Sequence, residues 1–98
     1  MSEKLTEAEI ERLSVLAEEC GEVIQVVGKI LRWGYESWNP LEVPRETNRT
    51  KLEKELADIN VATLLMLQNG DIKPAELEKH SEKKIGKINK WLHSNKIT

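Results

Sequence analysis

A chain of 98 residues has room for one hydrophobic core and one domain, and 39% hydrophobic with 33% charged residues describes a soluble globular protein. The formal net charge of −2 gives no basic excess for nucleic acid, no apolar run reaches the roughly 18 residues of a membrane span, and the single cysteine, Cys20, has no internal disulfide partner. The polar, acidic start MSEKLTEAEI lacks the basic start and apolar stretch of a secretory signal, so a reducing, cytoplasmic compartment is the expectation.

Thr6 and Glu9 stand at capping-box spacing and open a segment with apolar residues at Ile10, Leu13, Ala17, Cys20, Ile24, Val27 and Leu31. Alternating steps of three and four make these one helix face, and a helix from about residue 7 to 32 spans about 40 Å. Gly21 and Gly28, each costly inside a helix, point to a close helix approach on that face. The stretch GYESWNPLEVPRETN then carries Gly34, Pro40 and Pro44 as breakers, with Trp33, Tyr35 and Trp38 in or beside it, and reads as an ordered loop. A second helix follows in NRTKLEKELADINVATLLMLQ, capped by Asn48 or Thr50 and stopped at Asn69-Gly70, with Leu52, Leu56, Ile59, Thr63 and Met66 as its core stripe. A third, introduced by Asp71 and Pro74 and running through AELEKHSEKKIGKINKWLHS, has a thinner stripe in Leu77, Ile85, Ile88, Trp91 and Leu92. No period-2 strand pattern occurs. The class is all-α, a single domain over residues 1–98.

The acids do not follow the usual solvated-face pattern. With about 100° per residue and Cys20 at zero, Glu19 falls at about 260° and Glu22 at about 200°, amid Val26, Ile30 and Trp33 at about 240°, about 280° and about 220°. Glu18, at about 160° on the same wheel, stands where this second apolar sector meets the polar face. On the second helix, with Leu56 at zero, Glu55 at about 260° and Asp58 at about 200° are interleaved with Ala62 and Met66. Each helix thus presents an acid pair at i and i+3 on a partly apolar face, and two antiparallel helices side by side converge four carboxylates. Four acids without a counter-charge raise one another's pKa. An all-oxygen set suits a hard cation, Mg²⁺ or alternatively Mn²⁺, and such sites commonly complete their shell with substrate phosphates.

Glu18-Glu19-x-x-Glu22 followed by Glu55-x-x-Asp58 resembles the E-E-x-x-E and E-x-x-D signature of the MazG-like, all-α nucleoside triphosphate pyrophosphohydrolases. The likeness runs from about Leu13 to Leu67, through KILRWG and NRTKLEKELADI. It implies hydrolysis of the α–β phosphoanhydride of nucleoside triphosphates to monophosphate and pyrophosphate, with Mg²⁺ held by Glu19, Glu22, Glu55 and Asp58. Glu18 matches the leading acid, which in relatives binds a further metal or deprotonates the attacking water. The segment between Glu22 and Glu55 is longer than in the most compact relatives, and there family members differ in how they read the base.

Lys29 and Arg32, beyond Glu22 on the same helix, are the favoured cations for neutralising phosphate charge, and Trp38 is the favoured aromatic for stacking on a base. Trp33 extends the apolar face, Asn48 serves better as a cap than as a base contact, and the lysines of the third helix read as a solvated face. A first helix apolar over more than half its circumference exceeds what two short partners cover. The expectation is therefore a homodimer, or a tetramer of paired dimers, whose joined helices form a four-helix-type bundle core from three-helix protomers. No nucleic-acid or membrane partner is expected. Two alternatives from other classes are an inactive nucleotide-binding or regulatory module and a purely structural dimerisation domain.

Overall fold

The structure, a computed structural model, describes residues 3–98. It is all-helical, with α1 at Glu7–Trp33, α2 at Asn48–Gln68 and α3 at Pro74–Trp91. Two compact units divide the chain, one ending at Met66 and the other covering Leu67–Thr98.

α1 begins where the capping box requires. Thr6 Oγ1 accepts from the Glu9 backbone N–H at 3.1 Å, and Glu9 Oε1 accepts from the Thr6 N–H at 2.8 Å, satisfying two of the donors that a helix start leaves open. It ends at Gly34, whose φ of 87° is a left-handed conformation that costs a side-chain-bearing residue strain.

The start of α2 corrects the sequence reading. Neither Asn48 nor Thr50 is the cap: Thr47 Oγ1 accepts from the Thr50 N–H at 3.2 Å, and the Thr47 carbonyl takes the Lys51 N–H at 3.0 Å. Asn48 is turned instead toward the loop, where its side-chain amide donates to the Gly34 carbonyl at 3.1 Å and its backbone N–H to the Ser37 carbonyl at 2.9 Å. It is buried, at 5% exposure. With the Trp38–Thr47 bridge and the Arg49 N–H bonded to the Tyr35 carbonyl, these contacts pin residues 34–47 against the ends of both helices.

The inner face of the first unit is the one that carries the acids. Val26, Ala62 and Met66 are buried, and Glu19, Val23, Ile30, Glu55 and Ile59 are half-buried. The longer apolar stripe of α1 faces outward within the protomer: Ile24 is 72% and Leu31 82% exposed, and Cys20 is exposed. On α2 the buried line rotates away from Leu56, which is 45% exposed, toward Glu55, Ala62 and Met66. The close approach expected at Gly21 and Gly28 is not made within the protomer, because a Cβ at either position meets nothing within 4 Å.

In the second unit Ile88 and Leu92 are half-buried, while Leu77, Ile85 and Trp91 are exposed. α3 stops at Trp91, short of the expected His93 and Ser94. The Asn89 side chain holds the following turn by donating to the Ile97 carbonyl and accepting from the Ile97 N–H, both at 2.9 Å. No described helix is long and apolar enough to cross a membrane.

Candidate metal centre and loop cleft

Helical spacing on α1 and α2 brings the acids together as their wheel positions require. One carboxylate oxygen each from Glu19, Glu55 and Asp58 lie within 4.8 Å of one another. Glu22 stands near Glu55, and Asp58 near Glu19, close enough for each carboxyl to raise its neighbour's pKa. Three of the four expected ligands therefore converge, and the charge of the fourth, Glu22, reaches both Glu19 and Glu55.

The proton affinities follow from this crowding. Glu55 is pushed up to about 7, first by its hydrogen bond to Glu22, then by burial, then by the charges of Glu22, Asp58 and Glu19. Glu19 is raised above the ordinary glutamate range by burial, with the Asp58, Glu22 and Glu18 charges adding to it. Glu18 itself is exposed at the rim.

Two atoms test whether this cluster suits a cation. Glu19 Oε2 and Glu55 Oε2 are buried and have no hydrogen-bond partner. A buried oxygen without a donor is costly, and neither a lysine nor an arginine fills the role here. An octahedral Mg²⁺ shell is about 4 Å across, so the three hard oxygen donors, now within 4.8 Å, would draw closer around an ion. The donor set fits Mg²⁺ or Mn²⁺ and does not suit a soft, sulfur-seeking metal.

The loop forms a second feature. Between it and the helix ends lies a cleft of about 440 Å³, lined by Lys29, Trp33, Trp38, Asn39, Asn48 and Lys51 among others. Lys29 and Trp38, singled out from sequence, both line it. Arg32 does not; its guanidinium lies over the Trp33 ring at 5.7 Å. Lys51 flanks the acids in sequence and was a less favoured candidate cation than Lys29 and Arg32, yet it lines the cleft and pairs with Glu42 at 2.7 Å, its side chain only 17% exposed. That hydrogen bond, together with the charge of Lys29 and a bond from Asn39, holds the Glu42 carboxyl below its usual range against the opposing effect of burial. The one available signal was position: Lys51 stands a turn before Glu55, at about 220° on the acid side of α2.

No protein-family model, no curated protein and no solved structure matches this chain.

Proposed function

We propose that the protein is a Mg²⁺-dependent nucleoside triphosphate pyrophosphohydrolase. One observation carries the reading: oxygens of Glu19, Glu55 and Asp58 converge within 4.8 Å while the buried Oε2 atoms of Glu19 and Glu55 lack any donor. The sequence resemblance to MazG-like enzymes agrees with it.

Glu19, Glu22, Glu55 and Asp58 would hold the ion, which when bound supplies a positive centre for the phosphate oxygens and for the water that attacks. The remaining work belongs to side chains of this chain. Glu18, exposed beside Glu19, takes the proton from the attacking water as its oxygen bonds to the α-phosphorus. The α–β phosphoanhydride bond breaks in the same displacement, and pyrophosphate leaves with the bridging oxygen. Lys29, in the cleft beyond Glu22, offsets charge on the substrate.

The working form is a homodimer, with the outward stripe of α1 as the joining surface. Ile10, Leu13, Ile24, Val27 and Leu31 are all at least 39% exposed and lie on one face of one helix, an arrangement that monomeric proteins rarely leave uncovered. Joining two such helices gives the four-helix-type core.

The test is pyrophosphate release from a panel of canonical and modified triphosphates with Mg²⁺, using the wild type, Glu19→Gln and Asp58→Asn. Release by the wild type, lost in both variants, supports the reading. Absence of release from every triphosphate, or activity undiminished in the variants, overturns it.

A further inference from the structure

The second half of α3 carries a charge that nothing in its own unit answers. Lys83, Lys84, Lys87 and Lys90 are all exposed, and no aspartate or glutamate occurs from Lys83 to Thr98. Among the described residues none of these four ammoniums has an ion-pair or hydrogen-bond partner, whereas Arg49, Lys51 and Lys54 are each paired with a glutamate. Lys96, the remaining lysine of the stretch, is used locally and donates to the carbonyls of Asn89 and Leu92. The helix dipole accounts for Lys90, which lies in the last turn, but its effect fades within that turn and does not reach Lys83, Lys84 or Lys87.

The unpaired lysines stand beside an aromatic ring. With Ile88 at zero and about 100° per residue, Lys84, Trp91 and Lys87 fall at about 320°, about 300° and about 260°, and Lys83 and Lys90 follow at about 220° and about 200°. Glu78 and Glu82 lie on the opposite flank, at about 80° and about 120°, and Glu76 stands two turns before Lys84, facing His80 at 3.6 Å. Trp91 is 79% exposed, and Lys84, Lys87, Ile88 and Trp91 line a notch of about 260 Å³. A solvated face explains exposed lysines but not a tryptophan left in water among them. An indole has an apolar body and an N–H at its edge, and lysines carry their ammoniums on flexible apolar stems. Together they match the boundary of a bilayer, where the ring sits at headgroup level and the ammoniums reach lipid phosphates.

We propose that this face of α3 docks on a membrane surface rich in anionic phospholipids, with headgroup phosphates meeting Lys84 and Lys87 at the notch. No described helix is long and apolar enough to cross a bilayer, so the contact is with its surface. The observations favour lipid over nucleic acid, because the stretch has no arginine for bidentate phosphate contacts and only one tryptophan for stacking. The inference is independent of the nucleotide reading, since neither the acid cluster nor the loop cleft takes part.

The test is co-sedimentation of the full chain with vesicles of equal parts phosphatidylserine and phosphatidylcholine, against vesicles of phosphatidylcholine alone. A chelator is present throughout, so that no metal bridges the acid cluster to phosphate. The expected result is binding to the anionic vesicles only, weakening as salt rises. Each lysine near such a surface strengthens partitioning by about fivefold, so Lys84→Gln with Lys87→Gln should weaken binding by about 25-fold while helical circular dichroism is unchanged. Lys83→Gln with Lys90→Gln, a separate pair, should weaken it in the same direction. Tryptophan emission should move to shorter wavelength on binding, and Trp91→Phe should remove most of that shift. Absence of binding to the anionic vesicles, equal binding to both kinds, or binding undiminished in both lysine pairs overturns the proposal. So does tighter binding of a single-stranded oligonucleotide than of the anionic vesicles at equal phosphate concentration.

Discussion

Crowding raises Glu55 to about 7 in the metal-free cluster, so a cation held there as proposed would displace a proton. With Glu55 at about 7, its carboxyl is about 90% protonated at pH 6 and about 10% protonated at pH 8. Binding of Mn²⁺ or Mg²⁺ should then release close to one proton from Glu55 at pH 6, plus a contribution from the raised Glu19, and almost none from Glu55 at pH 8. Glu55 alone makes the apparent affinity about tenfold weaker at pH 6 than at pH 8. Calorimetry in buffers of different ionisation enthalpy counts the released protons directly. The same linkage fixes the sign for stability. Because Glu19 and Glu55 bind protons more tightly folded than unfolded, the stability they contribute is fully present below about 4.5 and is lost as pH rises through about 7. Metal-free protein should therefore melt at lower temperature at pH 7.5 than at pH 5.5, and saturating metal should flatten that slope. Glu55→Gln should remove most of the proton release. Equal release at pH 6 from the wild type and Glu55→Gln, or a metal-free melting temperature that climbs from pH 5.5 to 7.5, would refute the reasoning.

Other substitutions probe the elements around the cluster. Thr47→Ala should lower stability by about 1 kcal/mol through loss of the α2 cap, measured by urea denaturation, and Thr50→Ala should cost less because its hydroxyl caps nothing. Asn48→Ala leaves the Gly34 carbonyl without its buried donor and should cost about 1–3 kcal/mol in the same assay. Lys51→Met frees Glu42 from the bond that depresses its pKa; stability that the Glu42 carboxylate contributes above about 4.5 should disappear, so the variant's melting temperature should fall less than the wild type's when pH drops from 5 to 3. Ile24→Glu with Leu31→Glu places charges on the outward stripe of α1 and should convert dimers to monomers by light scattering while helical circular dichroism persists; an unchanged mass speaks against that face as the joining surface.

Much of the helical frame was readable in the sequence because helix periodicity is local. The capping box at Thr6 and Glu9, the stop at Gly34 and the shared angle of Glu19 with Glu22 and of Glu55 with Asp58 all follow from spacing alone. Which face of α1 lies inward did not follow. A helix apolar in two sectors offers two interiors, and the longer stripe through Cys20 and Ile24 was the more obvious one, whereas the protomer buries the sector with Val26 and the acids. The loop was the least legible part. Asn48 and Thr47 are both good caps by residue type, and only the tertiary pull of the Gly34 and Ser37 carbonyls on Asn48 decides which one serves. The place of Lys51 beside Glu42 likewise depends on how the chain turns between Asn39 and Glu42, where the Asn39 side chain closes the turn.

The bond from Asn48 to Gly34, spanning fourteen residues of sequence, brings the two ends of the loop to within a single side chain of each other. A segment whose ends already meet is detachable in evolution: residues can be added, removed or exchanged between them at small entropic cost, while the helices that carry the acids keep their register. Exchanging the residues between Gly34 and Asn48 should therefore leave the two acid-bearing helices folded as they are.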